Sequence, residues 1–205
     1  MATKEGSLNI PSNPLDGFVE WFNAAVAANA PEPTAMTLAT SVDNKPSARI
    51  VLYKGVVEDA VMFVTNYESR KSQELEKNPH AALVFHWHIL GRQIRIEGKV
   101  TKLSREKSDA YFAGRPRGSQ IGAWSSPQSK VIDDREDLLA QVRATEKRFE
   151  GKEIPCPPNW GGWLVTPQVI EFWEDREFRV HERLRFTRTS TAGATATWKR
   201  ERLAP

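Results

Sequence analysis

A chain of 205 residues with 40% hydrophobic content can bury one sizeable core, and one domain over 1–205 is the simplest expectation. Lys and Arg outnumber Asp and Glu by 29 to 26, an excess too small for a nucleic-acid footprint, so any anion binding must come from local charge. The single cysteine, Cys156, excludes an intrachain disulfide and a cysteine-based zinc cluster; with no apolar run of spanning length and no signal-peptide pattern in MATKEGSLNI, a cytoplasmic protein is expected.

A short arm at 1–12 leads to Asn13 as a helix cap and Pro14 as a first helical residue. Leu15, Phe18, Val19, Phe22 and Val26 then recur at helical spacing as far as NAPEP. From Thr34 to Val100 the period changes. TAMTLATS, SARIVLYK, AVMFVTN, AALVFHWH and RQIRIEGKVTKL are short runs rich in branched and aromatic residues, which predicts five antiparallel strands. A helix interrupts them at about 69–77, and a second begins near Ser104 and runs into Tyr111. A third covers about 134–149, with Leu138, Val142, Thr145 and Phe149 on its inner stripe. GWLVTPQVIEFWE, FRVHERLRFTR and ATWKRERL read as strands again, with a hairpin turn in TRTSTAGATAT between the last two. The fold class expected is mainly β, an antiparallel barrel with peripheral helices.

Neither G-x-G-x-x-G nor G-x-x-x-x-G-K-[ST] occurs, so any phosphate must be held by side chains. In TNYESRKSQELEK, Arg70 and Lys71 fall in the first turn of a helix, against its dipole; a bound anion would turn that cost into a gain, and two solvated charges are the competing reading. Arg49 and Lys54 in SARIVLYKG are five apart, and period two sends them to opposite faces. Either one lies beyond the regular strand or each meets a different ligand. Gln93, Arg95, Glu97 and Lys99 share a face opposite Ile94, Ile96 and Val100, a solvated outer face for most of them. His86 and His88 share a strand face, but no carboxylate or cysteine accompanies them, so packing in the core or an interface is expected and no metal. Arg179, His181 and Arg183 alternate in FRVHERLRF and should point the same way, either as a site or as a basic face paired with carboxylates. YFAGRPRGSQ sets Tyr111, Arg115 and Ser119 at helical spacing, while Gly114, Pro116 and Gly118 argue against one continuous helix. That stretch is an anion cradle or a turn. Trp124, Trp160, Trp163 and Trp173 suit a core, a subunit interface or the flank of a flat cofactor.

In order along the chain, RIVLYK, TNYESRK, RQIRIEG, YFAGRPRGSQIGAWSSPQS, EFW, RVHER and a C-terminal RLAP closely resemble the pyridoxamine 5′-phosphate oxidase family, from about Ile10 to Pro205. The resemblance implies an antiparallel FMN-binding split barrel and a homodimer with FMN in clefts at the subunit interface. It implies oxidation of pyridoxamine or pyridoxine 5′-phosphate to pyridoxal 5′-phosphate, by hydride transfer from C4′ to flavin N5, with O2 as acceptor and H2O2 as product. Matched motif by motif, the FMN contacts fall on Arg49, Ile50, Val51, Leu52, Tyr53 and Lys54, on Val64 and Thr65, on Arg70 and Lys71, and on Gln93, Gln128, Ser129, Trp173 and Arg183. The substrate phosphate falls to Lys54, Tyr111, Arg115 and Ser119. Arg179 and His181 lie over the reacting end as the catalytic pair, and no metal is required. Two features depart from the family pattern: only MATKEGSLN stands where members often carry a longer basic arm that closes over the site, and Tyr53 replaces an aliphatic residue. The rival readings are a related split-barrel flavin oxidase of the phenazine-biosynthesis type, which lacks the phosphate-binding set, and a non-catalytic protein that binds FMN or pyridoxal phosphate.

Overall fold

The structure is a computed structural model that describes residues 7–190 and 196–205. The first half of the expected arm and residues 191–195 of the expected hairpin turn lie outside the described residues. Helix α1 (Pro14–Ala27) starts as its sequence dictates, with the Asn13 side chain accepting from Leu15 N and proline in the first turn. Its buried stripe is rotated from the expected one. Leu15, Phe18, Trp21 and Ala25 face inward, whereas Val19 and Val26 are exposed. Trp21 supplies the larger apolar surface and packs its ring edge-on against Phe172 at 5.1 Å, so burying it outweighs burying either valine.

Strands β1 (Ala35–Val42), β2 (Lys45–Leu52), β4 (Ala60–Asn66), β5 (His80–Trp87) and β6 (Arg92–Lys102) match the five expected runs, and a two-residue strand β3 (Val56–Val57) adds to them. Helix α2 (Arg70–Lys77) lies between β4 and β5. Helices α3 (Arg105–Ala113), α4 (Arg117–Ser125) and α5 (Arg135–Arg148) follow β6. The chain then enters β7 (Trp160–Glu174), β8 (Glu182–Ser190) and β9 (Thr197–Leu203). On α5 the expected stripe is the least exposed side, with Leu138, Val142 and Thr145 half-buried above buried Phe149. No helix among the described residues is long and apolar enough to cross a membrane.

All strand pairs are antiparallel, in the order β2-β1-β5-β6-β7-β4-β3, with β8 on β7 and β9 on β8. The sheet returns on itself where Lys54 N donates to Met62 O and Met62 N donates to Gly55 O, which joins the end of β2 to β4 and closes a barrel. One edge of β7 is divided: its start pairs with β4 from Trp160 to Val165, and its end pairs with β8 from Val169 to Glu174. Phe18, Leu38, Phe63, Leu83, Phe85, Ile94, Ile96, Ile170, Phe172 and Phe186 fill the barrel and the seam under α1 with almost no exposure. A second cluster of Phe112, Ile121, Phe149, Ile154 and Trp160 holds α3 and α4 together beside the barrel rim.

One expectation about backbone needs correction. The segment FRVH is not strand, because Phe178 (φ 56°) and Arg179 (φ 62°) take left-handed conformations in a 3-10 turn and β8 begins only at Glu182. Arg179, His181 and Arg183 therefore do not share a strand face. The break expected between Tyr111 and Ser119 is present: Gly114 ends α3, Pro116 fixes φ ahead of the next helix, and α4 begins at Arg117.

Candidate active site

A cavity of about 770 Å³ opens at the barrel rim between the end of β2, the start of α2 and the elbow between α3 and α4. Period two on β2 decides what it presents. Ile50 and Leu52 point outward and are 62% and 42% exposed, Lys54 continues that row into the cavity, and Arg49, Val51 and Tyr53 alternate to the other side. Arg49 and Lys54 thus face opposite ways, as their spacing requires. The Arg49 guanidinium is occupied elsewhere: it donates to Leu38 O and Thr40 Oγ1 and meets Glu74 Oε2 at 2.9 Å. Tyr53 packs its ring against Phe18, Phe22 and Phe85, and burial pushes its hydroxyl pKa up. The replacement of an aliphatic residue by tyrosine at that position is accommodated by the core.

Val64 and Thr65 from β4, Lys71 from α2, and Tyr111, Arg115 and Ser119 from the α3–α4 elbow line the same cavity, together with Gln128. Glycine and proline between Tyr111 and Ser119 break one helix into two whose adjoining ends both face this space, so the interrupted spacing still brings the three side chains together. Lys71 is almost wholly buried, and its Nζ is held by the Thr65 hydroxyl at 2.9 Å and the Ser69 hydroxyl at 3.1 Å rather than by a carboxylate. Burial first, and the neighbouring Arg49 charge second, lower its pKa to about 8. Arg115 lies over the Trp160 ring at 4.6 Å with its Nη1 buried and without a hydrogen-bond partner, and burial lowers its pKa. These two cations carry unspent donor capacity into one cavity, which suits a phosphate or another anion.

Arg70 is solvent-facing and paired with Glu74 one turn along α2. Ser129 adopts a left-handed conformation beside Gln128 and is exposed, while Gln128 Oε1 accepts from Thr65 Oγ1 at 3.0 Å. Glu74 was not expected as part of this region. It receives hydrogen bonds from Thr40, Ser47, Arg49 and Arg70; burial would push its carboxyl up, but these donors outweigh that effect and hold it down at about 2. Its i, i+4 spacing from Arg70 is visible in sequence, but the contribution of β1 and β2 is not.

The remaining expected residues form a second group. Gln93, Trp173 and Arg183 stand side by side in one row across β6, β7 and β8. The His181 ring lies 4.7 Å from the Trp173 ring, with Nδ1 3.0 Å from Asp175 Oδ1. Arg183 is held by Glu171 at 2.9 Å and by Ala204 O. Arg179 is exposed in the 3-10 turn, between exposed Phe178 and Val180. Thr65 pairs with Gly161 at the start of β7 and Gln93 pairs with Trp173 near its end, so about 40 Å of strand contour separates the two groups within one chain. His86 and His88, expected to pack, are exposed and lie edge to face at 5.9 Å.

These features define a closed antiparallel barrel with helices at its rim and an anion-receptive cavity beside them. Residues 22–149 match the family described as pyridoxamine 5′-phosphate oxidase, and residues 160–205 match the pyridoxine 5′-phosphate oxidase C-terminal dimerisation region. Two proteins named pyridoxine/pyridoxamine 5′-phosphate oxidase are similar over nearly the whole chain. The one from Paraburkholderia phymatum is 53% identical over 98% of this chain and 94% of its own, and the one from Acaryochloris marina is 51% identical over 96% and 88%. The crystal structure of PhzG from Burkholderia lata 383, in complex with tetrahydrophenazine-1-carboxylic acid, superposes with a TM-score of 0.88 at 30% identity over 98% of this chain and 100% of that one. A pyridoxamine 5′-phosphate oxidase-related, FMN-binding protein from Nostoc punctiforme shares the fold at 18% identity and a TM-score of 0.74, over 94% and 97% of the two chains. The chain belongs to the pyridoxine/pyridoxamine 5′-phosphate oxidase family and is an oxidoreductase.

Proposed function

We propose that this protein oxidises pyridoxine 5′-phosphate and pyridoxamine 5′-phosphate to pyridoxal 5′-phosphate as an FMN-dependent homodimer, with residues 1–205 as one domain. The observation that carries the reading is the buried, unpartnered Nη1 of Arg115 in a cavity that also presents Lys54, Tyr111 and Ser119. A guanidinium, an ammonium and two hydroxyls match a phosphate monoester, and the names of the similar proteins point to the same substrates.

The residues present also fit FMN. Lys71 and the first turn of α2 offer positive charge to its phosphate, and Ile50, Leu52 and Val64 offer an apolar wall to its ring. Ile50, Leu52, Lys54, Thr65, Arg70, Gln128 and Ser129 would complete the cofactor contacts from one subunit. Arg49, Val51 and Tyr53, with side chains turned inward, would contribute main-chain atoms only. Gln93, Trp173 and Arg183 would come from the second subunit. Ile50 and Leu52 at the cavity and Phe178 and Val180 beside Arg179 are exposed apolar side chains that a second copy would cover, which supports a shared site.

FMN held by these residues would supply the two-electron acceptor for hydride from C4′, at N5, with O2 as the final acceptor and H2O2 as product; for the amine substrate, water would then hydrolyse the imine to the aldehyde and release ammonia. Lys54, Tyr111, Arg115 and Ser119 pin the phosphate, which fixes the distance from that anchor to C4′. Arg179 from the second subunit orients the reacting end and stabilises developing charge. His181 assists; Asp175 engages its Nδ1, so Nε2 is the nitrogen available to substrate. The test is to purify the protein, identify its chromophore and follow peroxide release from pyridoxamine 5′-phosphate against pyridoxamine. Arg115→Ala should weaken binding of the phosphorylated substrate by roughly 1.5–3 kcal/mol, the scale of a lost charge-assisted hydrogen bond. An unchanged KM would remove Arg115 from the phosphate site. The likeness to PhzG favours a second reading, oxidation of a phenazine precursor, and peroxide from such a compound with none from either vitamin phosphate would establish that alternative.

A further inference from the structure

We propose that Trp160 is a positioning residue that sets the preference for phosphorylated substrates, by holding the Arg115 guanidinium in place without consuming the N–H groups that must face the phosphate. This rests on the reading that Arg115 meets the substrate phosphate. Three other half-buried arginines are fixed by carboxylates: Arg49 by Glu74, Arg92 by Glu174 and Arg183 by Glu171, each at 2.9 Å. A carboxylate neutralises the cation and occupies its fork, which leaves little for a ligand. Arg115 is held differently. Its guanidinium carbon lies 4.6 Å from the centre of the Trp160 ring and 5.5 Å from that of Phe112, no carboxylate among the described residues acts on its charge, and Nη1 remains open. An aromatic face attracts the cation through its quadrupole and leaves every N–H free.

Trp160 is itself rigidly placed. It is 4% exposed, it begins β7 opposite Asn66, its main-chain N–H donates to Pro157 O, and Phe112 packs edge-on against it at 5.1 Å. Tyr111, a second member of the phosphate cradle, stacks on the same indole at 6.3 Å with the planes 20° apart. One side chain thus orients two phosphate-binding groups carried on the helical elbow, and it lies outside the main cavity, in the wall of a smaller adjoining one of about 320 Å³. Arg188 has similar aromatic support from Trp198 at 4.9 Å but does not line this cavity, so support alone does not make a site.

The experiment compares holoenzyme variants Trp160→Met, which keeps bulk and removes the aromatic face, and Trp160→Phe, which keeps a face. Steady-state kinetics are run with pyridoxamine 5′-phosphate and with pyridoxamine, and inorganic phosphate is titrated as a competitor. The expected result for Trp160→Met is a rise in KM for the phosphorylated substrate and in the inhibition constant of phosphate of about tenfold, the scale of a desolvated cation–π contact. The kcat, and kcat/KM for pyridoxamine, should stay within about twofold, since the face acts on phosphate binding alone. Trp160→Phe should recover most of the loss. Equal losses for both substrates, or a Trp160→Phe variant no better than Trp160→Met, would overturn the proposal. Should Trp160→Met fail to fold, Trp160→Phe decides it: a selective rise of about threefold in KM for the phosphorylated substrate supports the role, and no selective change refutes it. If Arg115→Ala itself leaves KM unchanged, the underlying reading falls; if only the Trp160 variants do, the positioning role falls alone.

Discussion

Lys71 carries its charge in a buried place, and that position would make binding of the proposed FMN phosphate depend on pH. With a pKa of about 8 in the folded chain against an ordinary value of 10.5, the unfolded chain binds the proton more tightly. The cost of the charge is therefore fully present below about 8 and disappears as pH rises toward 10.5, so this group alone makes the ligand-free protein more stable across that window. A bound phosphate acts in the opposite direction by favouring the ammonium. FMN affinity should be level below pH 8 and fall as pH rises above it, because binding then requires proton uptake. Equilibrium titration of ligand-free protein with FMN between pH 6.5 and 9.5 measures this, and a flat profile would contradict it. Lys71→Ala should abolish the profile and yield protein that loses FMN on dilution, visible as colourless protein.

At the scale of elements, Glu74 ties α2 to β1 and β2 through three donors, Thr40, Ser47 and Arg49, with Arg70 of its own helix as a fourth, and so holds the cavity wall against the helix that carries Lys71. Its carboxyl pKa of about 2 lies below the usual 4.5, so the stability it lends is complete above pH 4.5 and is lost as pH falls toward 2. Denaturation midpoints measured across pH 2–5 should drop steeply for the parent chain and less steeply for Glu74→Gln. Backbone contacts set a second demand. A Cβ at Gly98, in the bulge where β6 meets β7, would stand 2.2 Å from Thr166 O, which cannot swing aside, and Gly98→Ala should destabilise by roughly 1–3 kcal/mol in urea unfolding. Gly122 in α4 has open space around it, so Gly122→Ala should instead stabilise by about 0.5–1 kcal/mol. Elements whose ends carry their own chemistry were legible in the sequence: Asn13–Pro14 opened α1, and alternation gave five strands and the opposite aims of Arg49 and Lys54. What depended on the rest of the molecule was not. The inward phase of α1 is chosen by Phe172, which offers Trp21 a partner, and the left-handed pair Phe178–Arg179 has no glycine to announce it. The site residues named from the family's motifs fall into two groups, and only the strand contour of β7 reveals that one chain keeps them apart.

The whole molecule is organised by that long strand, which offers one edge to β6 along its length and divides the other between β4 and β8. Such a layout lets the cavity group and the Trp173 group vary independently while remaining part of one sheet. In the proposed homodimer each centre takes its phosphate cradle from one protomer and Arg179 from the other. A genetic consequence follows. Arg115→Ala and Arg179→Ala chains, each poorly active alone, should complement one another when mixed through unfolding and reassembly. Random pairing makes half of the dimers hybrid, each with one intact centre and one doubly defective, so about a quarter of the parental activity should return. Two damaged alleles of this protein would then rescue each other in a cell, provided that the damage lies at opposite ends of β7.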